Sequence, residues 1–506
     1  MNTGFLYGKL LITIIISLYS TRLVLHALGE TNYGIFALVG GVIAMLSFLN
    51  GAMSVTTQRY LSFYLGGHND SKLKSVFSLS VLLHLVIGLI IVLLLELGGI
   101  LLFNGILNIP VERLGTAKVV FHFMVVSMFF TINAVPYDAS INAHENFLLD
   151  ALMGIFESFV KLGIAIWLFY AKVDKLILYG LLIAGLTILI RIIKSTYCYF
   201  KYQECHVHLN SHFNFVLLKE MFSFAGWSIF GSFCSIIRNQ GLAVVLNMFY
   251  GIVINAAYGV ANQVNSNLNH FSTNMIRALY PQIVKSEGSG DRERMLRFAM
   301  LASKVSFFLL AFFAIPLIIE MPYILNIWLK KVPENTIIFC QLIIILSLIQ
   351  QLTVGLMAAI TSVGKIKVFQ IVVGSLLLLN LPLAYTLIKF GLPAYSVFLG
   401  SIFLECIAGG ARIWFAHKIA GLSMIHFLNG IVFNSILTVF LSTLLAMIPW
   451  VLLKESLLRA VLTLVTSTIS LTLIGKYIAL TYNENKKIKE IFLTILRSVG
   501  IPNMNN

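Results

Sequence analysis

The sequence predicts an all-α integral membrane protein with about fourteen transmembrane helices, and three observations carry that prediction. Hydrophobic residues make up 59% of the 506, charged residues only 11%, and the mean hydropathy is +0.92. Soluble domains carry roughly a quarter charged residues and under half apolar ones. In water, a chain this apolar would expose large sticky patches. Apolar runs of about 20 residues, the length that crosses a bilayer, recur from one end to the other. The segments between them are short, and none is long enough for an extramembranous domain.

The elements follow in order. The N-terminal stretch "MNTGFLYGKLLITIIISLYSTRL" places one lysine before an apolar run, as a signal peptide does. It lacks a small-x-small cleavage site and leads straight into further spans, so a retained first helix over 5–27 is expected. The next spans fall at 33–55, 76–102, 117–137, 149–171 and 176–200. A second group follows at 221–249, 253–276, 298–320, 336–360, 368–389 and 394–416, and a last pair at 428–451 and 459–482. Each is close to the length a bilayer demands at 1.5 Å per residue.

Charge orients the chain. With both termini cytoplasmic, inside segments hold 22 Lys and Arg and outside segments 10, which is the positive-inside asymmetry. One loop dissents: Asp138 to Phe147 has no Lys or Arg although it is assigned inside. The net charge of +15 is therefore read as membrane topology; no basic and aromatic surface module points to nucleic acid. The five cysteines (Cys198, Cys205, Cys234, Cys340 and Cys406) are odd in number and scattered, and free thiols are expected. In "ECHVHLNSH", Cys205, His206, His208 and His212 crowd one short loop without the paired spacings of a zinc site, so a solvated loop is expected. No G-x-x-x-x-G-K-[ST] phosphate loop occurs, which argues against ATP hydrolysis within the chain. No cofactor, no metal and no enzymatic activity are expected.

Two short stretches of similar sequence point to an internal duplication. "NYGIFALVGG" opens the second span and "AYGVANQV" the eighth, and each is followed by an arginine (Arg59, Arg277) and a polar basic loop. Helices 1–6 and 7–12 are then expected to form two related six-helix lobes in pseudo-twofold arrangement, with two C-terminal helices appended. The expected divisions are 1–205, 206–418, 419–482 and a cytoplasmic tail, 483–506. Transporters built from such repeats bind substrate between the halves.

The eighth span is the least apolar. At spacings of three and four, Tyr258, Asn262, Asn265, Asn269 and Ser272 share one face, and Gln263, Asn267, His270 and Asn274 an adjacent one. An unsatisfied amide costs on the order of several kcal/mol in hydrocarbon. One or two amides would serve as interhelical glue. This run exceeds that need, which points to a hydrated path whose carboxamides and hydroxyls suit sugars. Arg22, Lys161, Arg238 and Lys304 lie inside predicted spans, where a cation normally faces a cavity or a partner, and they are the candidate ligands for an anion such as phosphate. Glu157 stands four residues before Lys161, a spacing that also allows an internal ion pair, while Arg22 and Lys304 are also placed to snorkel. Glu96, Glu157 and Glu405 are the intramembrane carboxylates and the candidates for ion coupling.

Two stretches carry a resemblance. "TRLVLHALGETNYGIFALVGGVIAMLSFLNGAMSVTTQRYLSFYLG" (Thr21 to Gly66) resembles the N-terminal signature of polysaccharide and O-antigen flippases. "NAAYGVANQVNSNLNHFSTNMIRALYPQIVKS" (Asn255 to Ser286) looks like the matching segment of Wzx-type O-antigen flippases. These belong to the multidrug/oligosaccharidyl-lipid/polysaccharide exporter superfamily. The resemblance implies two six-helix lobes around a V-shaped cavity. It implies transfer of an undecaprenyl-pyrophosphate-linked oligosaccharide across the bacterial inner membrane in lipopolysaccharide or other polysaccharide biosynthesis. Proton or sodium antiport is implied too, with the polysaccharide polymerase and chain-length machinery as partners beside membrane lipids. Such flippases place basic residues in the cavity for the pyrophosphate, and the resemblance makes Arg22, Lys161 and Arg238 the candidates for them here. The drug-exporting branch commonly carries an acidic residue in helix 1 or 7, where this sequence has Arg22 and Arg238. A small-molecule exporter of the same fold and a membrane polysaccharide polymerase are the alternatives; the loops are short for the latter.

Overall fold

A computed structural model describes residues 2–44, 47–107, 109–207, 214–329, 331–480 and 484. The loop residues 208–212 and the expected tail, apart from Glu484, lie outside the described residues. Helices follow one another without a strand among the described residues: α1 (Asn2–Ala44), α2 (Ser47–Gly66), α3 (Asp70–Leu101), α4 (Val111–Asn133), α5 (Val135–Ala143), α6 (Phe147–Tyr170) and α7 (Lys175–Lys201). Then come α8 (Phe215–Gly288), α9 (Arg292–Leu329), α10 (Thr336–Gln351) and α11 (Val354–Val363). The chain continues in α12 (Lys367–Lys389), α13 (Ser396–Ala420), α14 (Met424–Leu452) and α15 (Leu457–Ala479).

Local chemistry sets the helix starts. Asn69, Asn146, Asp174, Asn214 and Ser456 each cap a helix by accepting a hydrogen bond from a backbone N–H two or three residues on, satisfying donors that the helix itself leaves over. Large apolar side chains stand outward along the helices, among them Ile15, Leu101, Phe222, Ile252 and Leu458, each more than 60% exposed. Such a surface belongs in lipid. The chain is a multi-pass membrane protein.

Among the described residues, eleven helices are long and apolar enough to cross a bilayer, or twelve when the bent pair α10 and α11 counts as one span. The expected fourteen differ from this because α1 and α8 are each continuous through a break. Gly29 (φ 77°, ψ 165°) and Gly251 (φ 75°, ψ −165°) interrupt them, in a backbone region essentially confined to glycine. These breaks fall between the first and second, and between the seventh and eighth, of the expected spans.

The described chain separates into two compact units that interleave along the sequence. The first comprises Met1–Ile237, Arg277–Phe298 and Ala358–Ser375; the second comprises Arg238–Ile276, Ala299–Met357 and Leu376–Asn506. The expected divisions at 205, 418 and 482 follow order along the sequence, whereas these units follow contact, so the one does not test the other.

The first unit has an apolar core of Ile35, Val39, Ile91, Phe121, Val125 and Ile132, with neighbours from α1, α3 and α4. The same unit holds an ionic network. Asp150 accepts from Lys9 (2.9 Å) and Lys194 (3.0 Å) and pairs with Arg277 (3.2 Å). Asp138 accepts from Arg191 and Lys194, both at 2.9 Å. Glu145 accepts from Lys285 (2.6 Å) and from Gln282. The loop that dissents from the charge count is thus an acceptor for cations supplied by other elements. The second unit's core is built from α8, α9, α10 and α13, around Leu246, Ala261, Leu310, Ala314, Phe339 and Phe398.

Candidate functional site

The amide-bearing helix makes its pocket inside the second unit. Tyr258 donates from its hydroxyl to the backbone carbonyl of Asn239 (3.1 Å). In a straight helix these residues would stand roughly 28 Å apart along the axis. The break at Gly251 folds α8 back, so its two arms meet and Arg238 comes beside Tyr258. A cavity of about 210 Å³ lies there, lined by Arg238, Asn239, Tyr258, Asn262, Asn265 and Asn269 of α8, Ser347 and Gln350 of α10, and Ser401 of α13.

The wall is a hydrogen-bonded sheet of amides. Asn265 Oδ1 accepts from the Ser347 hydroxyl (2.7 Å) and from Asn269 Nδ2 (3.1 Å). Gln351 Nε2 donates to Asn269 Oδ1 (3.2 Å). These bonds fix the amides' orientation, so the faces they turn to the cavity are set before any ligand arrives. On the neighbouring face of the same arm, Gln263, Ser266, Asn267 and His270 are exposed. In hydrocarbon that face would forfeit its hydrogen bonds at a cost of several kcal/mol per group. It requires water or a polar partner.

Charge collects beside the pocket. Glu405 on α13, 2% exposed, accepts from Arg412 Nη1 at 2.6 Å, from Gln350 Nε2 at 3.1 Å and from Arg238 Nη1 at 3.4 Å. Arg412 also donates to the Thr353 hydroxyl (3.1 Å). Two guanidiniums share one carboxylate, leaving a net charge of +1 in this cluster. Arg238, which lines the cavity, is the more loosely held of the two. The site can therefore offer a cation, amides and hydroxyls to a polar anionic ligand.

Five of the residues singled out from sequence come together here: Arg238, Tyr258, Asn262, Asn265 and Asn269 line the pocket, and Glu405 holds Arg238. The others are placed elsewhere. Ser272 is buried and donates to the Ser306 carbonyl (3.1 Å), a packing contact. Lys304 is 4% exposed and donates to Glu484 (2.7 Å). Arg22 is exposed on α1. Lys161 donates to Glu157 (2.7 Å), the internal pair its spacing allowed, and Glu96 meets His122 Nδ1 (3.0 Å). Sequence reading missed Ser347, Gln350 and Arg412. Arg412 stands seven residues from Glu405, two turns along one helix face, a spacing that could have marked it.

The sequence matches no protein-family model and no curated protein. Solved structures of similar fold exist. A multidrug resistance MATE family transporter of the MOP superfamily, in an outward-facing conformation, superposes with a TM-score of 0.71 at 12% identity, covering 83% of this chain and 96% of that one. A MATE in complex with MaD3S gives 0.71 at 13% over the same shares. A MOP superfamily transporter from Pyrococcus furiosus, whose binding pocket is described as of reverse polarity, gives 0.67 at 14%, again over 83% and 96%. The likeness covers most of the chain and shows a fold shared with these solved MATE transporters.

Proposed function

We propose that this chain is a flippase that carries an undecaprenyl-pyrophosphate-linked oligosaccharide across the bacterial inner membrane, from the cytoplasmic to the outer leaflet, by alternating access. The observation that carries this reading is the pocket whose amide wall adjoins a buried cluster of net charge +1. Amides and hydroxyls match sugar hydroxyls, and a guanidinium matches a phosphate. An arriving phosphate competes with Glu405 for Arg238, the longer and weaker of the carboxylate's two arginine contacts. Uptake of a proton or sodium ion at Glu405 would release Arg238 in the same way, which makes Glu405 the coupling candidate. The polyprenyl tail stays in lipid, and both termini face the cytoplasm.

A multidrug exporter is the second reading, because a fold neighbour is described as a multidrug resistance transporter. A cationic drug needs a carboxylate without a cationic partner, and Glu405 has two arginines.

Deletion of the gene followed by analysis of lipid-linked intermediates separates the readings. Completed repeat units accumulating on the cytoplasmic side support the flippase; normal surface polysaccharide with lost drug tolerance supports the exporter. Restoring Arg238→Ala should leave export at or below about a tenth of wild type, the loss of a charge-assisted contact of roughly 1.5–3 kcal/mol, with membrane insertion unchanged. Full export by that variant removes Arg238 from the site.

A further inference from the structure

The first unit contains a second, larger cleft of about 740 Å³. Its walls come from the end of α2 (Arg59, Tyr60), the first turns of α8 (Lys219, Glu220, Phe224, Trp227) and the loop from α11 into α12 (Gly364, Lys365, Lys367). None of these residues belongs to the amide-lined pocket.

The cleft has a rigid cationic centre. Arg59 is 7% exposed, and its Nε and Nη2 both donate to the Ser362 carbonyl, at 3.3 and 3.0 Å. Its guanidinium carbon lies 4.4, 5.2 and 5.3 Å from the ring centres of Tyr60, Phe63 and Phe224. Gly364 lets the loop pass this closely: its φ is +90°, and a Cβ there would stand 2.5 Å from Arg59 Nη2. Around this centre Lys219, Lys365 and Lys367 are exposed, with the Lys367 ammonium 5.4 Å above the Trp227 ring. Four cations face one carboxylate, Glu220, a net charge of +3.

The surroundings identify the kind of anion. Val216 and Val368 line the cleft together with the lysines and have 67% and 60% of their surface exposed. Cations, an indole and bare apolar side chains at the start of two membrane helices are the chemistry of the headgroup layer. A soluble phosphate would use the cations and leave the apolar rim uncovered. We propose that this cleft binds the phosphate of an anionic phospholipid, its acyl chains lying over Val216 and Val368. A lipid so held bridges α2, α8 and the α11–α12 loop.

The test uses the full chain in nanodiscs of phosphatidylglycerol mixed with phosphatidylcholine, with lipid retained after mild delipidation read by native mass spectrometry. Wild-type protein should retain phosphatidylglycerol in preference to phosphatidylcholine. Lys219→Gln, Lys365→Gln and Lys367→Gln should each weaken that retention about fivefold, and the triple variant on the order of a hundredfold. The three lysines are exposed, so the triple variant keeps its melting temperature; Arg59→Lys is the second variant should any combination fail to fold. Unchanged retention in the triple variant and in Arg59→Lys overturns the proposal. So does inorganic phosphate alone binding the detergent-purified protein as tightly as the lipid, which would make the ligand a soluble anion.

Discussion

At the scale of single residues, burial decides which charges matter. Glu320 is 1% exposed and receives Arg459 Nη2 at 2.7 Å, Arg459 Nε at 3.1 Å and the Thr463 hydroxyl at 2.9 Å. Removing one partner of such a pair strands the other away from water. Glu320→Gln should therefore lower stability by about 3–5 kcal/mol, read as a fall in thermal midpoint in detergent. Glu157→Gln breaks a pair whose side chains are 44% and 35% exposed and should cost under about 0.5 kcal/mol. Equal losses in the two variants would mean that exposure does not govern these pairs. Sequence reading noticed Glu157, whose partner lies one turn away. It passed over Glu320, whose partner Arg459 is 139 residues distant.

At the scale of the element, the breaks in α1 and α8 are the decisive features. The two glycines share a positive φ near 75° with ψ near 180°, and one lies just ahead of each copy of the short sequence repeat. A side chain at Gly251 meets no neighbour within 4 Å, so the penalty there is purely backbone strain. Gly251→Ala should destabilise the protein by about 1–3 kcal/mol and loosen the approach of Arg238 to Tyr258. Gly259, eight residues on, sits in regular helix with equally open space; Gly259→Ala should stabilise by about 0.5–1 kcal/mol. Thermal unfolding of the pair checks this, and destabilisation by both would remove the special role of the break.

At the scale of the whole molecule, the charge count sets an orientation to be tested. The reading with both termini inside predicts that a C-terminal green fluorescent protein fusion is fluorescent and a C-terminal alkaline phosphatase fusion inactive. The opposite pattern inverts the orientation and with it the direction proposed for transport. The loop at 138–147, which has no Lys or Arg of its own, takes its cations from other elements: Arg191 and Lys194 donate to Asp138, and Lys285 to Glu145. Counting cations loop by loop misses this, because the pairs join segments 53, 56 and 140 residues apart.

The sequence by itself determined that this is a helical membrane protein and which face of one helix is polar, because apolar length and a 3.6-residue period are local properties of the chain. It also marked Arg238 and Glu405, since a charge in an apolar run stands out without coordinates. Only the tertiary structure decided that Arg238, Tyr258 and the asparagines share a pocket, that Arg412 and Gln350 join them through Glu405, and that Ser272 and Lys304 go elsewhere. Those outcomes depend on where α8 turns at Gly251 and on which helices pack against it. Both are set by contacts between residues far apart in the chain, and no periodicity records them.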